Sequence, residues 1–415
     1  MINKLKNEYR VFLSYPHNMR VLLITNLIYS LVLPIIELFI GAYIMRNSQE
    51  ARLVVIFQLA LYTGIPVTFA INGYLLRKIR IAWLYSFGML LSGISMTAMM
   101  MLDELDITGI GLAGLIMGIS YGFFWANRDF LALESTSDQN RNYYYGLETF
   151  FYTSTAVIVP YLVGVFIGAT QRSNWFSGNI NRAYQIVTAV VFILTIIAAV
   201  YVNKGRLVNP RQEKFIFFRF HGLWNKMIRL SVLKGLAQGY IVTAPAMLIM
   251  KLVGNEDVLG TVQAVGAVVS AILLYIIGRI SKPGHRIYIF TLGLLLFAAG
   301  AFINAGLYSS LGVVLFMLCL IMARPLLDVA YFPIQLKVID LVAAIEKRNE
   351  FSYFLNHEFG LYLGRLLGCG LFIVMTYLIT EDFALQYALL IIASIQLISI
   401  PVARNILSTA KNMQP

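Results

Sequence analysis

The chain has 415 residues, of which 59% are apolar and 13% charged, and a formal net charge of +12; its mean hydropathy is +0.75. Soluble proteins carry roughly a quarter charged residues, so this composition excludes a globular protein in water and makes lipid the expected solvent. The positive charge is spread over loops and is not gathered on a soluble domain, which excludes nucleic acid as a partner.

The first apolar run reaches Met45 and, beyond Arg20 at its edge, holds one charge, Glu37. It exceeds the roughly 20 residues needed to cross a bilayer and lacks a small-residue cleavage site, so it reads as a retained span. Its continuous apolar character, like that of the runs after it, argues for helices over alternating barrel strands. In chain order the predicted spans cover about 19–45, 52–76, 81–101, 107–132, 143–169 and 183–202, then 227–250, 257–280, 286–306, 311–336, 350–379 and 383–403. The fold class is therefore all-α and membrane-embedded, with twelve spans. A six-helix half (1–202) and a second half (227–415) flank a basic linker (203–226), part of which is expected to lie along the membrane surface.

Lysine and arginine recur at the start, after the second, eighth and tenth spans, in the linker and at the end. The alternate loops instead carry DELD (103–106), NED (255–257) and ED (381–382). By the positive-inside rule both termini and the linker face the cytoplasm, in a cell (inner) membrane. Tyr29-SLVL-Pro34 matches Tyr240-IVTA-Pro245, Arg141-Asn142 matches Arg348-Asn349, and the Gly73–Arg80 loop matches Gly278–Arg286, all at nearly one offset, which indicates an internal repeat.

Twelve spans, two related halves, a central linker and a glycine-plus-basic loop after spans 2 and 8 resemble the major facilitator superfamily. Gly73, Arg77, Lys78 and Arg80 form one copy of the loop; Gly278, Gly284, His285 and Arg286 form the other, with Lys282 where the family has an acid. The acid of the usual loop salt bridge is thus missing from both. Pro160 and Gly164 are similar to the family's antiporter motif, but the fourth span has Gly118-Ile-Ser-Tyr-Gly122 without the antiport arginine. The resemblance implies two six-helix bundles around a central cavity, working by alternating access.

A charge at mid-bilayer costs roughly 2.5–3.5 kcal/mol on insertion scales and needs a reason. Five acids (Glu37, Asp129, Glu148, Asp328, Glu358) and four bases (Arg128, Lys234, Arg324, Arg365) stand inside spans. Glu37 has no basic neighbour in its helix and shares a face with Asn26 and Ser30, which suits a proton carrier. Asp328, Glu358 and His357 are the other proton-coupling candidates. Arg324, Asp328, Tyr331 and Gln335 line one face of the tenth span, where Arg324 and Asp328 at i,i+4 can also satisfy each other. Arg324 and Arg365 suit a carboxylate or phosphate. Tyr121, Trp125, Tyr144, Glu148, Tyr152 and Gln335 complete the expected solute site, with helix packing the competing role for the aromatics and snorkelling that for Glu148. Gly360, Gly364 and Gly368 form a ridge for close helix packing. Arg128 and Asp129 sit near the cytoplasmic end of their helix and read as gate elements, with Arg77 and Arg286.

Cys319 and Cys369 lie in apolar runs as buried thiols, and the four histidines are dispersed, so no metal or other cofactor is expected. With no HExxH, GxSxG or Walker loop, an enzyme is not expected either. The sequence points to a monomeric secondary transporter importing a small polar solute, anionic or sugar-like, with protons. The alternative is proton-antiport export of amphipathic or lipid-like compounds.

Overall fold

The computed structural model describes residues 10–136, 138–173, 175–209, 217–280, 283–348 and 350–413. Twelve helical spans long and apolar enough to cross a membrane run through them. In the first half they are span 1 (His17–Ser48), span 2 (Ala51–Leu75), span 3 (Ile81–Met100), span 4 (Ile107–Ala132), span 5 (Tyr143–Arg172) and span 6 (Ile180–Val202). In the second they are span 7 (Gly222–Leu252), span 8 (Glu256–Leu274), span 9 (Arg286–Leu307), span 10 (Ser310–Glu346), span 11 (Ser352–Leu378) and span 12 (Glu381–Asn412). The start of span 1 meets the chain just past span 6 (His17 Nε2 to Lys204 O, 3.0 Å), and the start of span 7 meets the end of span 12 (Lys226 to Asn405, 2.7 Å), on the face called here the linker face; the loops at 103–106 and 381–382 lie on the far face. Far-face helix starts are capped by side-chain oxygens that accept from first-turn N–H groups, Asp106 from Gly109 N (2.9 Å), Asn179 from Asn181 N (3.1 Å), Ser309 from Gly312 N (3.3 Å) and Thr380 from Phe383 N (3.2 Å), each satisfying an orphan donor.

Span 7 begins at Gly222, earlier than the sequence pattern indicates, because the His221 ring accepts a hydrogen bond from Leu223 N at 3.2 Å and starts the helix there. The linker is shorter by that turn, and residues 210–216 of it, part of the segment expected to run partly along the membrane surface, lie outside the described residues, as does Lys282. Span 10 continues to Glu346, past its expected end, and closes with Lys347 in the left-handed region.

The internal repeat has a physical counterpart. Span 1 is interrupted at Leu31–Val32 and span 7 at Val242–Thr243, each two to three residues before its proline, Pro34 or Pro245. Proline has no N–H, so the carbonyl four residues earlier, Ser30 or Ile241, loses its helical partner and the helix loosens there. The interruption also divides Asn26 and Ser30 from Glu37, so the single polar face expected of span 1 is split between two segments.

Spans 7 and 11 pack at glycine distance. A Cβ on Gly364 would stand 2.8 Å from Gly235 Cα, and one on Gly360 would run into Ser231 Oγ; the glycine ridge of span 11 is a packing surface. The halves meet across spans 5 and 8 in the same way, where a Cβ on Gly164 would lie 2.7 Å from the Glu256 carbonyl.

Candidate functional site

The far face is closed by charge pairs between the halves. Arg46, in the last turn of span 1, binds both carboxylate oxygens of Glu256 and donates to Gly254 O at 3.1 Å. Tyr184 of span 6 donates to the same carboxylate at 2.9 Å, and Glu256 is only 1% exposed. Arg172 of span 5 pairs with Asp257 beside it. At mid-level Tyr62 of span 2 donates to Gln238 O at 2.9 Å, and the Arg365 guanidinium lies 4.7 Å from the Tyr62 ring centre. Toward the linker face the Asp129 and Asp328 side chains are 67% and 47% exposed. The space between the halves widens in that direction.

Two cavities meet at mid-level. One, about 310 Å³, is bounded by Phe57, Tyr62, Tyr121, Trp125, Glu358 and Arg365. The other, about 280 Å³, lies in the second half between spans 7, 9, 10 and 12, with Lys234, Arg324, Asp328, Tyr331, Gln396 and Ser399 on its wall. Glu37, Gln238 and Val242 line both. Glu37 is exposed to this space although it lies deep in span 1. Among the described residues it makes no hydrogen bond and no ion pair.

The second half holds its cations unequally. Lys234 donates to Asp328 at 2.7 Å and lies 4.1 Å from the ring centres of Tyr331 and Phe332. Arg365 binds Gln238 Oε1 through Nε (3.1 Å) and Nη2 (3.0 Å), with Glu358 3.5 Å away. Arg324 instead donates from Nη2 to the Ile241 carbonyl at 2.6 Å, the one freed by Pro245. The competing pairing along span 10 is therefore not formed. Asp328 has left Arg324 for Lys234 on another helix, and Arg324, held by a backbone oxygen, has no carboxylate partner among the described residues.

In the first half the charges are closed on themselves. Arg128 grips both oxygens of Glu148 and bonds Asp129 at 2.8 Å. Asn26 donates to Glu148 Oε1 (2.6 Å) and to Tyr144 Oη (3.0 Å), while Tyr85 donates to Asn26 Oδ1 at 2.6 Å. Glu148 is 1% exposed, so it does not snorkel; its partners come from spans 1, 4 and 5 and hold it inside. Trp125 and Tyr152 flank the Arg128 guanidinium, their ring centres 5.5 and 5.9 Å away.

Of the residues expected at a solute site, Tyr121, Trp125, Arg365 and Arg324 line the cavities. Tyr144 is fully buried in the Glu148 cluster, and Gln335 is 3% exposed with an unpartnered Oε1 away from both cavities. His357 is 4% exposed and shares a 2.6 Å hydrogen bond with Tyr331. Arg77 lies exposed just past span 2, 5.4 Å from the Tyr74 ring centre, and Arg286 opens span 9, both on the linker face. The sequence reading missed the Arg46–Glu256–Tyr184 cluster. Its one available signal was the NED loop opposite Arg46, two charges that each read as an ordinary helix end.

A twelve-span bundle with cavities at mid-level between two related halves is the architecture of a membrane transporter. The model of the Major Facilitator Superfamily matches residues 21–368, and the chain belongs to that superfamily. It is similar to YqgE of Bacillus subtilis (strain 168), an uncharacterized protein, at 23% identity over 374 residues, 88% of this chain and 84% of that one. Among solved structures it resembles the nucleoside transporter NupG (TM-score 0.69, 13% identity, 94% of this chain and 99% of that one). It also resembles a bacterial homologue of the iron transporter ferroportin in its inward-facing state (TM-score 0.65, 14% identity, 94% and 98%). At such identities the likeness is one of fold.

Proposed function

We propose that this transporter is a proton-coupled symporter that imports a small anionic solute, with Glu37 as the proton carrier and Arg324 as the anion's partner. The observation that carries the reading is a pair of opposite charges on one cavity that, among the described residues, lack a close ionic partner: Glu37 makes no hydrogen bond or ion pair, and Arg324 bonds a backbone carbonyl. In a low-dielectric cavity an anion entering beside an ionised Glu37 meets like charge, and protonation of Glu37 removes that penalty. Solute and proton then load together, and a carrier neutralised at its centre crosses to its other conformation more readily than one holding a lone charge. The linker face is taken as cytoplasmic, by its lysines and arginines, in a cell (inner) membrane. The closed far face then makes this an inward-facing state. One chain supplies the whole cavity, so the working unit is a monomer.

The test is flux in liposomes carrying an internal pH dye. An inward gradient of a transported carboxylate should acidify the lumen. Glu37→Gln should retain carboxylate exchange without acidification, and Arg324→Gln should lose carboxylate uptake. Alkalinisation during uptake, or uptake indifferent to Arg324→Gln, would overturn the proposal; accumulation of lipid-like cations instead would put amphipathic export in its place.

A further inference from the structure

Gln238 of span 7 lines both cavities, and its neighbours set its amide in one orientation. Spans 7 and 11 meet at glycine distance here, where a Cβ on Gly239 would stand 2.5 Å from the Arg365 carbonyl. That closeness brings the Arg365 guanidinium onto the Gln238 side chain, and Nε and Nη2 both donate to Oε1, at 3.1 and 3.0 Å. A guanidinium has donors and no acceptor, so the oxygen end of the amide is the end that must face it. Nε2 is therefore turned away from Arg365 as a donor. Among the described residues it has no hydrogen-bond partner, and unlike the sealed hydroxyls of Tyr121 and Ser399 it keeps accessible surface. Arg365 itself is occupied: Nη1 faces Glu358 at 3.5 Å, and the guanidinium lies against the Tyr62 ring.

Arg324 reaches the same cavity from span 10. Its Nη2 donates to the Ile241 carbonyl, three residues after Gln238 on span 7, and residues three apart on a helix are surface neighbours. The other guanidinium nitrogens have no partner among the described residues and keep accessible surface too. This stretch of wall thus presents donors from two side chains. A carboxylate meets it with acceptors alone, whereas the matching amide brings N–H groups of its own that nothing there receives. We infer that Gln238 is a specificity-determining residue of the anion site: its Nε2 donates to the solute carboxylate held by Arg324, and Arg365 is the positioning residue that turns the amide donor-first. This rests on the proposed symport reading and adds both residues to it. Arg365, expected to grip the solute itself, serves it through Gln238.

The experiment is a thermal-shift titration of the full-length purified protein with matched acids and amides: acetate and acetamide, lactate and lactamide, benzoate and benzamide. At least one acid should bind about tenfold more tightly than its amide, the worth of a hydrogen bond to a charged group. Gln238→Glu keeps a partner for Arg365, so the fold should hold, but it turns an acceptor toward the cavity and should erase or reverse the preference for the acid. Gln238→Leu should weaken the acid by about the same factor as one such bond. Arg365→Lys should weaken it several-fold, yet add nothing in the Gln238→Leu background, where no amide is left to turn; a merely structural role would cost the same in both. Acid affinity unchanged in Gln238→Glu but lost in Arg324→Gln would overturn the role of Gln238 and leave the symport reading standing. An equal loss from Arg365→Lys in both backgrounds would overturn the positioning role. Acids bound no better than their amides would overturn the donor wall, and failure of every acid to bind would overturn the symport reading with it.

Discussion

The two halves are built on one plan, yet they treat their intramembrane charges in opposite ways. In the first, Arg128, Glu148, Asn26, Tyr85 and Tyr144 satisfy one another in a closed cluster drawn from several helices. In the second, Arg324 bonds only a backbone oxygen among the described residues, and Glu37, an acid of the first half on the same cavity, makes no hydrogen bond or ion pair among them. A count of charged residues therefore does not locate the site. A buried ion pair is often neutral for stability as a pair, whereas half of one is costly, so the closed cluster is a structural element and the uncommitted charges are where a ligand has something to gain.

The largest way to break this contrast is to open the closed cluster. Glu148→Gln leaves Arg128 without its buried counter-ion, for an expected loss of about 3–5 kcal/mol, read as a lowered unfolding midpoint in detergent; the double change Arg128→Gln with Glu148→Gln should recover part of it. The far-face cluster belongs to the same saturated class. Glu256→Gln removes charge-assisted bonds worth roughly 1.5–3 kcal/mol, and distance measurements between labels on the two halves should show the far face opening in a larger fraction of molecules. Gly364→Ala pushes a methyl toward the Val232 carbonyl across the contact of spans 7 and 11. Overpacking of this kind costs about 1–3 kcal/mol, and the same substitution at Gly111, which has nothing within 4 Å, should be silent. The smallest stability effect is expected at Glu37. Glu37→Gln should cost no more than the roughly 1 kcal/mol typical of a point substitution, because no hydrogen bond or close ion pair among the described residues is lost, while abolishing the pH dependence of uptake. A large destabilisation there would place Glu37 with Glu148 and erase the distinction between the closed cluster and the cavity charges.

Most of the architecture was legible in the sequence because lipid imposes it. Twelve long apolar runs have few alternatives once every backbone group must be satisfied within a span. The repeat was legible too, since Tyr29–Pro34 and Tyr240–Pro245 both mark helix interruptions. The partners of the charges were not. Periodicity shows that Arg324 and Asp328 share a face, but the preference of Asp328 for Lys234 depends on how span 7 packs against span 10. Glu148 looked free to reach the surface because its distance from the helix end could be counted, whereas the two other helices that supply its partners could not. Arg46 and Glu256 lie 210 positions apart and come together only when the halves close.

Pro245 has one more effect. A proline is usually noted for bending a helix, but here its missing hydrogen leaves the Ile241 oxygen to the Arg324 guanidinium. The cation is thereby fastened to the joint of a neighbouring helix, not to its own surroundings alone. Any flexing of span 7 at that joint carries the acceptor with it and swings the charged group like a rudder on its hinge, so that backbone motion and solute grip become a single mechanical event.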